Sequence, residues 1–245
     1  MATSDEGLWC IVPAAGRGSR FGGDVPKQYV DVAGKPLLLW TLERLARHPR
    51  IAGLLVALAA DDAFWPGLTD ISGKPVVSVI GGGERADSVL AGLLGLPAAV
   101  PDDAFVLVHD AARPCVRSRD IDALIDRGIP AGGGLLAAPL RDTLKRADAA
   151  QRVAATEPRE SRWRALTPQM FRRGELTISL QNTQSKGIVV TDEAMAMELA
   201  GFSPLLVEGS DDNLKITTPA DRVLAEYLLR RLGAEEASQV QGRSI

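Results

Sequence analysis

Short, almost wholly apolar runs alternate along this chain with segments of helical spacing, and few architectures accommodate that alternation. Leu8-Trp9-Cys10-Ile11-Val12 reads as a buried first strand, and Leu54 to Leu58, Val76 to Ile80 and Phe105 to Val108 as further strands. Between them, Leu37 to Ala46, entered through Pro36, and Arg85 to Leu94, which follows Gly81-Gly82-Gly83, carry helical spacing. Units of this kind stack into a parallel sheet with helices on its faces. Further on, Ser118 with Asp120 reads as the cap of a helix through Ile125, and Leu135 to Ala138 as a strand. Thr191 caps a helix with Asp192 and Glu193 in its first turn and Gly201 at its end, and Leu205 to Glu208 is a late strand. Thr218-Pro219-Ala220-Asp221 opens a last helix whose inner face is expected to be Val223, Leu224, Tyr227 and Leu228.

Length and composition narrow the class further. A chain of 245 residues with 4% aromatics suits close helix-on-sheet packing better than a β-sandwich stocked with Tyr and Trp. With no internal repeat and no low-complexity linker, one domain over residues 1–232 is expected, followed by a polar tail, 233–245, that frays. Two cysteines, Cys10 and Cys115, cannot build a disulfide framework or a cysteine zinc site. The start lacks a basic, apolar leader and no apolar run is long enough to cross a bilayer, so a cytoplasmic protein without membrane or nucleic-acid partners is expected.

One stretch breaks the rhythm. From Arg141 to Arg164 seven basic residues meet four acids, a local +3 in a chain of −3, which leaves −6 for the remainder. Few residues there can build a core. The stretch reads either as a solvated excursion or as an arm, about 139–165, that reaches a partner subunit or an anionic substrate.

The residues that can carry chemistry sit where strands end. Pro13-Ala14-Ala15-Gly16-Arg17-Gly18-Ser19-Arg20-Phe21 directly follows the first strand, and its small residues let backbone N–H groups approach phosphate oxygens. Phe21 stands where a dinucleotide fingerprint has its third glycine, and the Gly-Lys-[Ser/Thr] ending of a P-loop is missing. Arg20 and Lys27 supply cations instead, the pattern of a triphosphate cradle; an ordinary βα turn with solvated cations is the plainer reading. Gly81-Gly82-Gly83 allows close approach to a flat ligand such as a base, with Ser88 able to hydrogen-bond it, or is a flexible turn. The strand Phe105 to Val108 delivers His109-Asp110 to the sheet edge where open α/β folds bind ligands. The Asp110 carboxylate there suits Mg2+ carrying a polyphosphate, or else caps a turn. His109 reads as a strand-end hydrogen-bonding residue and His48 as a surface residue, and two histidines without a triad disfavour histidine-based nucleophilic catalysis. Asp211-Asp212-Asn213-Leu214-Lys215 offers Lys215 for a phosphate and Asp212 or Asn213 for a metal shell, or is a turn before the last helix.

Taken together these segments resemble the 2-C-methyl-D-erythritol 4-phosphate cytidylyltransferase family. The matching stretches are Pro13-Ala14-Ala15-Gly16 with Arg20, Pro26-Lys27-Gln28, Glu84-Arg85-Ala86-Asp87-Ser88-Val89, and His109-Asp110-Ala111-Ala112-Arg113-Pro114. Arg141-Asp142-Thr143, Leu166-Thr167-Pro168-Gln169, Thr191-Asp192-Glu193 and Asp212-Asn213-Leu214-Lys215 follow in order, so the likeness runs from about Leu8 to Leu232. Gly83 and Phe21 depart from the family's frequent residues. The resemblance implies a Rossmann-like nucleotidyltransferase sheet, mostly parallel, with a protruding arm that crosses to a second subunit of a homodimer. It implies that Ala14, Ala15, Gly16, Gly82 and Ser88 hold the cytosine nucleotide, that Arg20, Lys27 and Lys215 act on the phosphates, and that Asp110 holds Mg2+. Arg113, Thr143, Arg159, Thr167 and Thr191 would surround the polyol phosphate, some of them from the partner chain.

The reaction implied is attack by a phosphate oxygen of 2-C-methyl-D-erythritol 4-phosphate on the α-phosphorus of CTP with release of pyrophosphate. A cytidylyltransferase for another polyol phosphate such as ribitol 5-phosphate, a purine or uridine nucleotidyltransferase, and a nucleotide-binding module without turnover stay open at this point.

Overall fold

The computed structural model describes residues 7–16 and 25–242. The first strand, β1 (Leu8–Pro13), lies at the middle of an eight-stranded sheet. From it the chain passes a small hairpin, β2 (Asp31–Val32) and β3 (Lys35–Pro36), then α1 (Leu37–Ala46) and β4 (Ile51–Leu58). Next come β5 (Asp70–Ile71), β6 (Lys74–Ile80), α2 (Arg85–Gly95), β7 (Phe105–Val108), α3 (Ser118–Ala131) and β8 (Gly134–Pro139). An exposed hairpin, β9 (Leu144–Ala147) with β10 (Val153–Glu157), leads into β11 (Trp163–Arg172). The chain ends with α4 (Arg173–Ser185), α5 (Glu193–Leu199), β12 (Leu205–Glu208) and α6 (Pro219–Gly242).

The sheet order is β12-β8-β11-β7-β1-β4-β6-β5. The pairs β1–β4, β1–β7, β4–β6 and β12–β8 are parallel, while β11 runs antiparallel to β7 and β8, and β5 to β6. The chain builds outward from β1 through β4 and β6, then returns to lay β7 on the other side of β1. That reversal makes a crevice between β1 and β7 at the carboxyl edge, the position where open α/β sheets take ligands.

Alternation along the strands divides the core. Cys10 and Val12 pack with Leu38, Leu42 and Leu45 of α1 and Ile121, Leu124 and Ile125 of α3, whereas Ile11 packs with Val89 and Leu93 of α2 and Leu176 and Leu180 of α4. Burial of helix stripes on both faces is the main stabilising term.

Several local expectations need correction. Arg117, not Ser118, holds the N-cap position of α3, and no side chain caps it. Asp192, not Thr191, caps α5, its Oδ1 accepting from Met195 N–H at 2.9 Å. His48, expected at the surface, is fully buried; its Nδ1 accepts from Arg50 N–H at 3.3 Å and its Nε2 lies 3.3 Å from Asp122 Oδ1. On α6 the inward residues are Ala225, Leu228, Leu229 and Leu232, while Val223, Leu224 and Tyr227 are exposed. The same helix continues to Gly242, through residues expected to fray. Among the described residues no helix is long and apolar enough to cross a membrane.

Candidate active site

Two small-residue loops lie side by side at the carboxyl edge. The one after β1 is pinned where Ala14 N–H donates to Ala57 O at 2.8 Å and the buried Gln28 amide donates to Ala14 O at 2.7 Å. Lys27 opens the 3-10 turn, Lys27–Tyr29, from which Gln28 reaches that loop. The loop after β6 approaches so closely that a Cβ on Gly81 would come within 2.9 Å of Ala15 Cβ and 2.7 Å of Ser88 Oγ. Ser88 Oγ accepts from Gly82 N–H at 3.2 Å and donates to Glu84 O at 3.2 Å, so this hydroxyl holds the glycine loop in shape. A reciprocal capping box between Glu84 and Asp87 fixes the start of α2. Ala14, Ala15, Gly16, Gly82 and Ser88 are therefore gathered in one place. Arg20 lies outside the described residues.

Beside these loops, Asp110 gathers cations. It follows β7, and its backbone N–H donates to Thr167 Oγ1 on β11 at 3.0 Å. Oδ1 accepts from Arg85 Nε at 3.0 Å; Oδ2 accepts from Arg113 Nε at 3.2 Å and from Lys215 Nζ at 3.0 Å. Burial alone would raise this carboxyl; the charges of Arg85, Lys215 and Arg113 outweigh it and hold Asp110 well below the usual carboxylate range. Arg113 NH1 donates to Asn213 O at 2.7 Å, and Asn213 Nδ2 donates to Thr167 O at 2.7 Å. Four of the candidates from sequence, Asp110, Arg113, Thr167 and Lys215, thus meet in one network.

The proton inventory of His109 follows from its partners. Arg113 O, 2.9 Å from Nε2, can only accept, so Nε2 carries the proton. Nδ1 then accepts from the Thr167 hydroxyl at 3.0 Å, leaving Thr167 Oγ1 free to accept from Asp110 N–H. Burial pushes His109 down to about 4 and keeps this ring neutral. It positions β11 against β7, the strand-end role expected of it. Burial also raises both thiols, Cys115 to about 12 and Cys10 higher, so neither is a nucleophile near neutral pH.

Four candidates are placed differently. Thr143 and Arg159 sit exposed on the arm, where the Arg159 guanidinium donates to Arg141 O. Thr191, exposed before α5, turns its hydroxyl to Met195 Sδ at 3.6 Å. Asp212, considered for a metal shell, is engaged by Arg117 instead.

Sequence reasoning quoted Arg85 and Glu193 without assigning them a role. Arg85 joins Asp110 to Glu193, with NH1 and NH2 donating to the Glu193 carboxylate at 2.5 and 3.1 Å. The signal available was an Arg at the first helical position after a glycine loop, where a cation opposes the helix dipole and needs a carboxylate partner.

Among the described residues no three His, Cys, Asp or Glu side chains gather in metal-holding geometry. A single-carboxylate site is still compatible with the donor set. A carboxylate offers about four lone-pair positions, and Arg85, Arg113 and Lys215 occupy three on Asp110. Asn213 Oδ1, buried and without a hydrogen-bond partner among the described residues, is a second uncommitted oxygen in the network. Mg2+ characteristically takes one or two carboxylates and completes its shell with water and phosphate.

The sequence profile described as IspD, 2-C-methyl-D-erythritol 4-phosphate cytidylyltransferase, matches residues 8–231. A 2-C-methyl-D-erythritol 4-phosphate cytidylyltransferase of Xanthomonas oryzae pv. oryzae is 57% identical over 241 residues, covering 97% of this chain and 88% of the relative. A solved 4-diphosphocytidyl-2C-methyl-D-erythritol synthase superposes with a TM-score of 0.79 at 34% identity, covering 92% of this chain and 99% of that one. The Francisella tularensis 2-C-methyl-D-erythritol 4-phosphate cytidylyltransferase gives 0.78 at 34% identity, covering 91% and 99%.

Proposed function

The chain belongs to the 2-C-methyl-D-erythritol 4-phosphate cytidylyltransferase family, and we propose that it joins CTP to 2-C-methyl-D-erythritol 4-phosphate in the crevice between the paired loops and the Asp110 network. The products are 4-diphosphocytidyl-2-C-methyl-D-erythritol and pyrophosphate, in isoprenoid precursor synthesis.

A phosphate oxygen of the acceptor forms a bond to the α-phosphorus, and the bond from that phosphorus to the bridging oxygen breaks as pyrophosphate leaves. The acceptor oxygen is already deprotonated near neutral pH, so no general base is required. The barrier is electrostatic, because two anions meet and charge gathers between them. Positioned cations answer it. Lys215 and Lys27 act at the α-phosphate, and Arg20 assists the leaving pyrophosphate. Ala14, Ala15, Gly16 and Gly82 provide close backbone approach for the nucleotide, with Ser88 keeping the second loop in register. Arg113 and Thr167 face the acceptor together with Thr191. Asp110 would supply the protein ligand to Mg2+, which when bound withdraws charge from polyphosphate oxygens. Thr143 and Arg159 reach the acceptor from the partner's arm in a homodimer, a reading supported by the exposed basic hairpin between β8 and β11.

The observation that carries this reading is the convergence of Arg85, Arg113 and Lys215 on one buried carboxylate at the switch point of the sheet. Pyrophosphate release from a panel of CTP, UTP, GTP and ATP with 2-C-methyl-D-erythritol 4-phosphate or ribitol 5-phosphate tests it. Turnover is expected with CTP and methylerythritol phosphate; preference for another pair, or none, overturns it.

A further inference from the structure

Glu193 is a buried acid with no contact to the Asp110 carboxylate itself. It is the first residue of α5, its side chain is 1% exposed, and both its oxygens are taken by one guanidinium, Arg85 NH1 at 2.5 Å and NH2 at 3.1 Å. The third nitrogen of that guanidinium, Nε, donates to Asp110 Oδ1 at 3.0 Å. All three nitrogens are therefore committed, and a continuous path runs from α5 through Glu193, Arg85 and Asp110 to Arg113 and Lys215.

The path crosses the elements that the reaction must bring together. Arg85 opens α2, separated from Gly81-Gly82-Gly83 only by the N-cap Glu84, so it moves with the nucleotide-side loop. Glu193 lies two residues after Thr191 on the acceptor side. Asp110 stands between them, two residues past the end of β7. We propose that Glu193 is a positioning residue for cytidylyl transfer: by clamping Arg85 it orients Asp110 so that Oδ2 holds Lys215 and Arg113 at the reacting phosphates. The inference rests on the cytidylyl-transfer reading above.

Docking α5 to the body does not explain the clamp, because Ala194, Ala196 and Met197 already bury that helix against the core. The arrangement has an electrostatic consequence as well. Three cations and two carboxylates leave the group at +1, and Glu193 compensates Arg85, so Asp110 remains a partner for the other two. Without the Glu193 charge, Arg85 becomes an uncompensated cation 3.0 Å from Oδ1 and competes with Lys215 for the carboxylate. Lys215 is the most exposed of the three cations, and it is the one whose place would loosen.

The test is steady-state pyrophosphate release by wild type, Glu193→Gln, Arg85→Gln and the double variant, with thermal melting of each. Glu193→Gln keeps the shape and removes the charge. Its kcat should fall about 10- to 100-fold, the scale of a misplaced reacting group, while KM for CTP stays within about threefold, because the glycine loops are untouched. The double variant should be no worse than Arg85→Gln alone, the signature of two residues acting through one contact. Glu193→Asp, charged but one methylene short, should also lose kcat, and it supplies the same readout if the Gln variant does not fold. A kcat within twofold of wild type for Glu193→Gln, or effects of the two residues that simply multiply, overturns the proposal. A wild-type protein that releases no pyrophosphate from CTP and methylerythritol phosphate would instead overturn the underlying function.

Discussion

Lys215 Nζ lies 3.0 Å from Oδ2 of Asp110, and the lysine is 39% exposed where the carboxylate is only 8% exposed. The acid is thus the buried anchor and the lysine the end that meets an incoming phosphate. Removing such a donor costs its transition-state stabilisation, so Lys215→Ala is expected to lower kcat by roughly 10²–10³. Lys27→Ala should do the same if both lysines serve the α-phosphate. Pyrophosphate release under saturating CTP measures it, and near wild-type kcat in either variant removes that lysine from the chemistry.

Asp110→Asn removes the negative charge that three cations share. Breaking a buried ion pair from one side costs about 3–5 kcal/mol, and a fall of that size in unfolding free energy is expected, read as a lower urea midpoint at unchanged m-value. An unchanged midpoint would mean that the cations find water or Glu193 instead.

Acid titration separates this carboxylate from its neighbour. Asp110 has its folded value depressed, so its stabilisation is present above the unfolded value near 4 and is lost only as pH falls through the depressed one. His109 acts higher on the scale. Its ring is depressed to about 4 in the fold against about 6.5 unfolded. Between those values the unfolded chain binds the extra proton, so stability rises with pH across that window and falls on acidification. The loss from pH 6.5 down to 4 should be on the order of 3 kcal/mol, and His109→Gln should flatten the slope. An equally steep slope in that variant assigns the effect to another group.

The strands that build the crevice were legible because a strand covered on both faces must be apolar throughout; β1, β4 and β7 satisfy that without exception in their central residues. Among the elements missed was β11. Its middle, Leu166-Thr167-Pro168-Gln169, interrupts the pairing with β8 between Ala165 and Gln169, because Pro168 has no backbone N–H to give and Thr167 O accepts from the Asn213 amide instead. The same residues form one of the matching stretches, so their chemistry is readable in the sequence where their strand is not. The rotation of α6 was misread for a different reason. Apolar residues surround its first turns, and nothing in spacing alone says that Ala225 rather than Tyr227 faces Ile216. Arg85 and Glu193 sit in matching stretches, but a guanidinium that bridges two carboxylates 83 residues apart in sequence is a tertiary fact.

The glycine loop offers an internal contrast. A Cβ on Gly82 would lie 2.2 Å from Asp87 Cβ, whereas one on Gly83 meets nothing within 4 Å. Gly82→Ala must therefore displace the start of α2, at the typical overpacking cost of about 1–3 kcal/mol. If that strain is relieved by opening the nucleotide loop, KM for CTP rises about tenfold and KM for methylerythritol phosphate holds. Gly83→Ala should leave both unchanged. Equal effects from the two substitutions would detach this loop from nucleotide binding.

The arm raises the last expectation. Arg159 and Thr143 are exposed on the arm at the base of its hairpin, while Lys215 sits in the Asp110 network at the sheet edge. If a site is completed by the partner's hairpin, a subunit carrying Arg159→Ala damages its neighbour's centre, and one carrying Lys215→Ala damages its own. A mixed dimer then contains one site with both defects and one with neither. Each variant alone should be nearly inactive, and activity should return when the two are unfolded together, refolded and assayed for pyrophosphate release. Arg159→Ala should also raise KM for the acceptor more than for CTP, since a guanidinium on the arm answers the polyol phosphate. Mixed refolding that restores no activity, with sedimentation showing a dimer, would place Arg159 in the site of its own chain; sedimentation as a monomer would remove the shared site altogether.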